Sequence, residues 1–249
     1  MLIERKEIII KTNAQELSAS LAKTWVKLSK QAISQRGIFT VALSGGRTPI
    51  PIYKNICSNQ NIAWDKNHIF LTDERFVPLN HLDSNYRMIK QNLLKGGAIP
   101  TNNIHPFKIK DTAKLTAKEY EKALKHFFNL NNGQFPKFDL IILGLGQDGH
   151  IASLFPKNKS LQEKNRMVVE TFVSDVKHER ISFSLPVINN ARNIIFLVAG
   201  SGKAGIIKEV LINRNRKFPA SWVDSKEANI LFLLDKEAGR LVSRLTKML

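Results

Sequence analysis

The stretch Ile38-Phe39-Thr40-Val41-Ala42-Leu43-Ser44-Gly45-Gly46-Arg47-Thr48-Pro49 decides how the chain folds. Apart from Thr40, Ile38 to Leu43 is apolar without alternation, as in a strand buried on both faces. Two glycines then open a turn. Thr48 is a candidate N-cap, and Pro49 suits the first helical position. A strand, a glycine turn and a helix in immediate succession form the unit of a parallel α/β sheet.

The same unit recurs in both directions. Upstream, Glu7 to Ile10 reads as a short strand, and Asn13 with Glu16 as a capping box. Ala14, Leu17, Leu21, Trp25 and Leu28 then recur at helical spacing. Downstream, a strand from His68 to Leu71 runs into Thr72-Asp73-Glu74-Arg75, and a helix from Ser84 to Leu94 ends at Gly96-Gly97. Lys114 to Leu130 is an amphipathic helix. Phe138 to Leu143, Met167 to Val173, Arg180 to Leu185, Ile194 to Ala199 and Ile230 to Leu234 are strands. Gly200-Ser201-Gly202-Lys203 opens a helix to Leu211, and Lys236 to Leu249 is a closing helix. No linker, repeat or low-complexity segment interrupts the alternation. The pattern predicts an α/β, doubly wound, mostly parallel sheet with helices on both faces (Rossmann-like), in one domain spanning residues 1–249.

Ligands of such folds sit at the carboxyl ends of the strands, and four strand ends here carry unusual polar loops. Ser44-Gly45-Gly46-Arg47-Thr48 brings bare backbone, two hydroxyls and a helix start together, an anion cradle suited to phosphate. Asp73 and Arg75 end another strand, where the arginine can reach a phosphate while the aspartate orients a neighbour. In Gly144-Leu145-Gly146-Gln147-Asp148-Gly149-His150, Asp148 stands two residues before a histidine. A carboxylate on one imidazole nitrogen makes the other a general base. Gly200-Ser201-Gly202-Lys203-Ala204 lacks the P-loop's glycine spacing and its hydroxyl, which disfavours ATP hydrolysis; Lys203 can still meet a phosphate.

In order and spacing, Val41 to Pro49, Thr72 to Arg75, Gly144 to Pro156 (GLGQDGHIASLFP) and Gly200 to Lys203 resemble the 6-phosphogluconolactonases, over essentially the whole chain. The resemblance implies hydrolysis of 6-phospho-D-glucono-1,5-lactone in the pentose phosphate pathway, with no cofactor; the histidines form no H-x-H or H-E-x-x-H pattern, so no metal is expected. It implies His150 and Asp148 as catalytic residues. Ser44, Gly45, Gly46, Arg47, Thr48, Asp73, Arg75, Arg180 and Lys203 would bind the substrate and its phosphate. Arg75 and Lys203 match the family best, Arg180 matches its arginine after a mobile loop, and Arg47 lies where the family varies. The related amino-sugar-6-phosphate isomerases carry Asp-Gly-His-x-x-Phe-Asn-Glu-Pro, with a catalytic glutamate where this chain has Phe155, and Asp-Glu-Tyr where it has Asp73-Glu74-Arg75.

Composition sets the outer limits. Of 249 residues, 43% are hydrophobic and 24% charged, the balance of a globular protein, which excludes disorder as the main state. The single cysteine, Cys57, excludes an internal disulfide and a cysteine-rich zinc site. No apolar run reaches membrane-spanning length, and Met1 to Glu7 does not read as a secretory signal, so a cytoplasmic protein with no membrane partner is expected. Lys and Arg outnumber Asp and Glu by 38 to 21, a net charge of +17. That favours an anionic partner. A basic nucleic-acid-associated protein is the alternative from another class, but the basic residues form no tract and no binding motif, so nucleic acid is not expected as the main partner. A monomer or a homodimer is expected. The positive field predicts that kcat/KM for an anionic sugar phosphate falls as ionic strength rises, with kcat changing less. A kcat/KM that stays flat from low to physiological salt would remove this role of the charge.

Overall fold

The computed structural model describes residues 6–95, 99–173, 177–225 and 227–243. In chain order the elements are β1 (Lys6–Lys11), α1 (Ala14–Arg36), β2 (Phe39–Leu43), α2 (Ile50–Cys57), β3 (Asn67–Leu71), β4 (Asp73–Arg75) and α3 (Asn85–Ile89, continued by a π turn over Lys90–Leu94). There follow β5 (Ile104–His105), α4 (Ala113–Phe128), β6 (Leu140–Leu143), β7 (Val168–Thr171), β8 (Arg180–Phe183) and α5 (Leu185–Asn189). The last are β9 (Asn193–Val198), α6 (Ala204–Leu211), β10 (Asn229–Asp235) and α7 (Lys236–Gly239).

Seven strands form one parallel sheet in the order β1-β10-β9-β6-β2-β3-β5. From β2 the chain winds outward through β3 and β5. From β6 it winds the other way through β9 and β10. The order reverses between β2 and β6, so the crevice of this doubly wound sheet opens where these two strands end. The predicted α/β class is therefore the observed one. Helices cover both faces: α7 packs its Gly239 against Ile10, while the neighbouring Ile9 faces a groove shared with α1. Every residue of β2 and β6 is buried, as an unalternating apolar run requires.

A second sheet was not legible. Asp73–Arg75, read as a loop, is β4, and the two strands predicted after Met167 leave the main sheet to join it in the antiparallel order β4-β8-β7. Other corrections are local. Thr48 does not cap α2; Pro49 is the flanking residue and no side chain caps that helix. The Asn13 side chain does cap α1, but the reciprocal bond from Glu16 reaches the N–H of Thr12 rather than that of Asn13. The predicted closing helix ends at Gly239, a turn following to Ser243, and residues 244–249 lie outside the described residues, as do Gly96 and Gly97.

At the amino-terminal edge of the sheet, Asp139 ties the central strands together. Its buried carboxylate accepts from Thr40 N–H at 2.9 Å, Thr40 Oγ1 at 3.0 Å and Arg36 Nη2 at 2.8 Å, with Arg192 Nε at 3.4 Å. Removing it takes an acceptor from two part-exposed guanidiniums and leaves the buried Thr40 N–H without one. Asp139→Ala should lower stability by about 3 kcal/mol, the low end for a broken buried pair because both arginines reach solvent. The urea-unfolding midpoint checks this, and a midpoint equal to wild type would contradict it.

Candidate active site

The crevice holds a cavity of about 620 Å³. Its walls include Ser44 to Thr48 after β2, Asp73 and Arg75 of β4, Gly144 to Gln147 and His150 after β6, Arg180 of β8 and Lys203 before α6. Every predicted site residue except Asp148 lines it, and Asp148 is bonded to one that does.

The loop after β6 is shaped around its histidine. Gly149 takes φ +80°, where a side chain would also strike Phe218. A Cβ on Gly146 would run into both the His150 ring and the Asp148 carboxylate, so only glycine lets that pair form here. Asp148 Oδ1 lies 2.6 Å from His150 Nδ1 and 3.2 Å from its N–H. Partial burial raises the Asp148 pKa, but the bonds and charge of His150 outweigh it and hold the carboxyl below its ordinary value. An ionised carboxylate only accepts, so Nδ1 carries the proton and Nε2 is left as the basic nitrogen. The buried Phe155 packs its ring 4.6 Å from that imidazole.

A second group of lining residues is cationic. β4 and β8 pair with Arg75 directly opposite Arg180, which puts both side chains on one face. Burial and the charge of Arg75 lower the Arg180 pKa, against the pull of Asp73, Glu74 and Asp83. The Nε atoms of both arginines are buried without a hydrogen-bond partner among the described residues. Two like charges with orphaned donors are suited to receive an anion. Lys203 Nζ, half-buried, donates to the Leu145 carbonyl at 2.6 Å. Burial lowers its pKa and Asp148 opposes the shift. Gly46, at φ +104°, takes a backbone conformation natural only to glycine, and Arg47 is exposed at the cavity mouth.

Asp73 joins the walls. Its buried carboxylate accepts from Thr72 Oγ1 at 3.0 Å and Ser153 Oγ at 2.7 Å, and Thr72 Oγ1 lies 2.8 Å from Ser44 Oγ. Glu74 is wholly buried and is no surface ion-pair partner. It accepts from the N–H groups of Arg75, Asn85 and Tyr86 and from Ser84 Oγ, fixing the start of α3. Burial raises its pKa against these bonds. Sequence reasoning missed Asn85, whose buried side chain lines the cavity, donates to the Asp73 carbonyl at 2.9 Å and fills the space a Cβ on Gly45 would need. Its only sequence signal is its place one residue after the helix-opening Ser84. Also unforeseen, His81, Asp83 and His178 bring ligating atoms within 4.8 Å of one another beside this wall.

Residues 12–232 match the family described as glucosamine-6-phosphate isomerases/6-phosphogluconolactonase. This chain belongs to that family. It is 40% identical over 212 residues to a 6-phosphogluconolactonase of Synechocystis sp., covering 84% of this chain and 87% of that one. It is 38% identical to a chloroplastic 6-phosphogluconolactonase of Arabidopsis thaliana, over 95% of this chain and 75% of the relative. The solved 6-phosphogluconolactonase of Trypanosoma brucei superposes with a TM-score of 0.86 at 31% identity, over 96% of this chain and 99% of that one. The family contains two chemistries, and Phe155 is the local difference: the resemblance puts a glutamate of the amino-sugar isomerases at this position, and here an aromatic ring packs on the histidine.

Nitrogen-15 NMR of the imidazoles should find neutral His150 protonated on Nδ1. Asp148→Ala should release it to the Nε2–H form favoured in water. A wild-type ring protonated on Nε2 would contradict the dyad.

Proposed function

We propose that the chain hydrolyses 6-phospho-D-glucono-1,5-lactone to 6-phospho-D-gluconate, the lactone step of the oxidative pentose phosphate pathway. The observation that carries the reading is one cavity lined by the Asp148–His150 dyad and by the paired Arg75 and Arg180, whose buried Nε atoms have no hydrogen-bond partner among the described residues. The phosphate docks between the Ser44–Thr48 loop, Arg75, Arg180 and Lys203, with Arg47 at the entrance. Asp73, itself an anion, repels phosphate and contributes by holding Ser44, Thr72 and Ser153 in place.

His150 Nε2 takes a proton from water as its oxygen bonds to C1. The C1–O5 ring bond then breaks, and the proton passes from His150 to O5. Asp148 keeps the ring in the Nδ1–H tautomer and balances the imidazolium charge between the two transfers. The lactone carbonyl is already electrophilic and its leaving group stays tethered, so these residues account for the reaction without a cofactor. No helix among the described residues is long and apolar enough to cross a membrane. A cytoplasmic location and a monomeric or dimeric state belong to the same proposal.

The test is the rate of opening of freshly generated lactone, corrected for spontaneous hydrolysis. His150→Ala should lower kcat by about 10²–10⁴ with a modest change in KM. Lys203→Ala should act mainly on KM, because the phosphate does not react. A folded His150→Ala enzyme with kcat within a few-fold of wild type would sink the mechanism. With Phe155 beside the histidine, glucosamine 6-phosphate should release no ammonia; release at a rate comparable to lactone opening would favour the isomerase reading.

A further inference from the structure

Arg75 and Arg180 repel each other, so something must fix them before an anion arrives. Arg75 Nη1 donates to the main-chain carbonyl of Asp83 at 2.5 Å. That carbonyl sits in a braced loop. Asp83 N–H donates to His81 Nδ1 at 3.1 Å, Ser84 N–H to the His81 carbonyl at 3.1 Å, and Ser84 Oγ to the Glu74 carboxylate at 3.0 Å.

The Asp83 side chain grips the other arm. Its Oδ2 accepts from His178 Nε2 at 2.8 Å and Lys177 Nζ at 3.0 Å. His178 stands two residues before Arg180, and the intervening Glu179 carbonyl accepts from Phe76 N–H at 2.8 Å, just beyond the β4–β8 pairing. Asp83 thus touches Arg75 through its main chain and the approach to Arg180 through its carboxylate. The Lys177 side chain is 74% exposed and that of His178 only 19%, so the histidine bond is the one shielded from water and salt. Bonds from His178 and then Lys177 hold the Asp83 carboxyl down at about 2, fully ionised at neutral pH. Read as metal ligands, His81, Asp83 and His178 are already spoken for: His81 Nδ1 takes the Asp83 N–H, and Lys177 supplies the cation.

We propose that the Asp83–His178 hydrogen bond is a clasp that sets the spacing of the Arg75 and Arg180 guanidiniums, making Asp83 and His178 positioning residues for the substrate's phosphate. The proposal rests on reading this cavity as a sugar-phosphate site. Neither residue needs to touch the substrate. Losing the clasp should loosen phosphate binding and leave the dyad intact.

The experiment measures calorimetric affinity for 6-phosphogluconate and lactone kinetics on Asp83→Ala, His178→Ala, the double variant, His178→Gln and Lys177→Ala. Either clasp variant should weaken 6-phosphogluconate binding and raise KM by about tenfold while kcat stays within about twofold. The double variant should be no worse than the worse single one, because both remove the same bond. His178→Gln, which keeps an N–H donor, should recover part of the loss, and Lys177→Ala should remain near wild type. Circular dichroism confirms folding; should Asp83→Ala not fold, the two His178 variants carry the test. A folded His178→Ala with wild-type KM and affinity, or a loss in kcat alone, would overturn the clasp. So would single-variant losses that multiply in the double variant. Wild-type protein that binds 6-phosphogluconate yet does not open the lactone would overturn the lactonase reading and leave the clasp standing.

Discussion

Two arginines set directly opposite one another on adjacent strands are unfavourable in an empty protein. Arg75 and Arg180 repel, and each keeps a buried Nε without a partner among the described residues. A fold retains such a pair only if the rest of the structure holds it, and much of this site does so. Glu74 spends a buried carboxylate on fixing the start of α3, and with it the loop whose Asp83 carbonyl receives Arg75. The small antiparallel sheet exists where β4 must meet β8. The pair becomes favourable when a dianion lies between the guanidiniums, which is the electrostatic logic of a phosphate site.

The sheet supplies the second half of the design. Because the winding reverses between β2 and β6, the loops following them diverge and leave room between. One is a glycine turn, the other the histidine loop. Each needs glycine for a stated reason: Gly45 makes room for Asn85, and Gly146 for the dyad. The hydroxyl chain from Ser44 through Thr72 to Asp73 and Ser153 locks the two loops to each other, so the glycine turn and the histidine loop are held at a fixed separation. That separation is what an intramolecular-like attack requires.

The parallel sheet was legible because buried strands announce themselves as unbroken apolar runs between glycine turns. The cavity was legible because its loops sit at strand ends and are polar in excess of what a turn needs. What sequence could not show was pairing across distance. Asp73–Arg75 is too short and too charged to read as a strand, and it becomes one only because β8, more than a hundred residues later, lies beside it. Asn85 and the Asp83–His178 contact are invisible for the same reason: each acts on a partner far away in the chain. Thr48 fits an N-cap by residue type, but the helix begins after Pro49 and leaves the threonine to the cavity.

The central claim is that the Arg75–Arg180 pair is maintained for an anion at the expense of the empty protein. The most direct measurement is the thermal midpoint of Arg180→Gln against wild type, with and without 6-phosphogluconate. Relief of like-charge repulsion and of a half-buried guanidinium with an orphaned Nε predicts that the variant, without ligand, melts at or above wild type and loses most of the upward shift that the ligand gives wild type. A variant that melts below wild type and keeps the full ligand-induced shift would contradict the account.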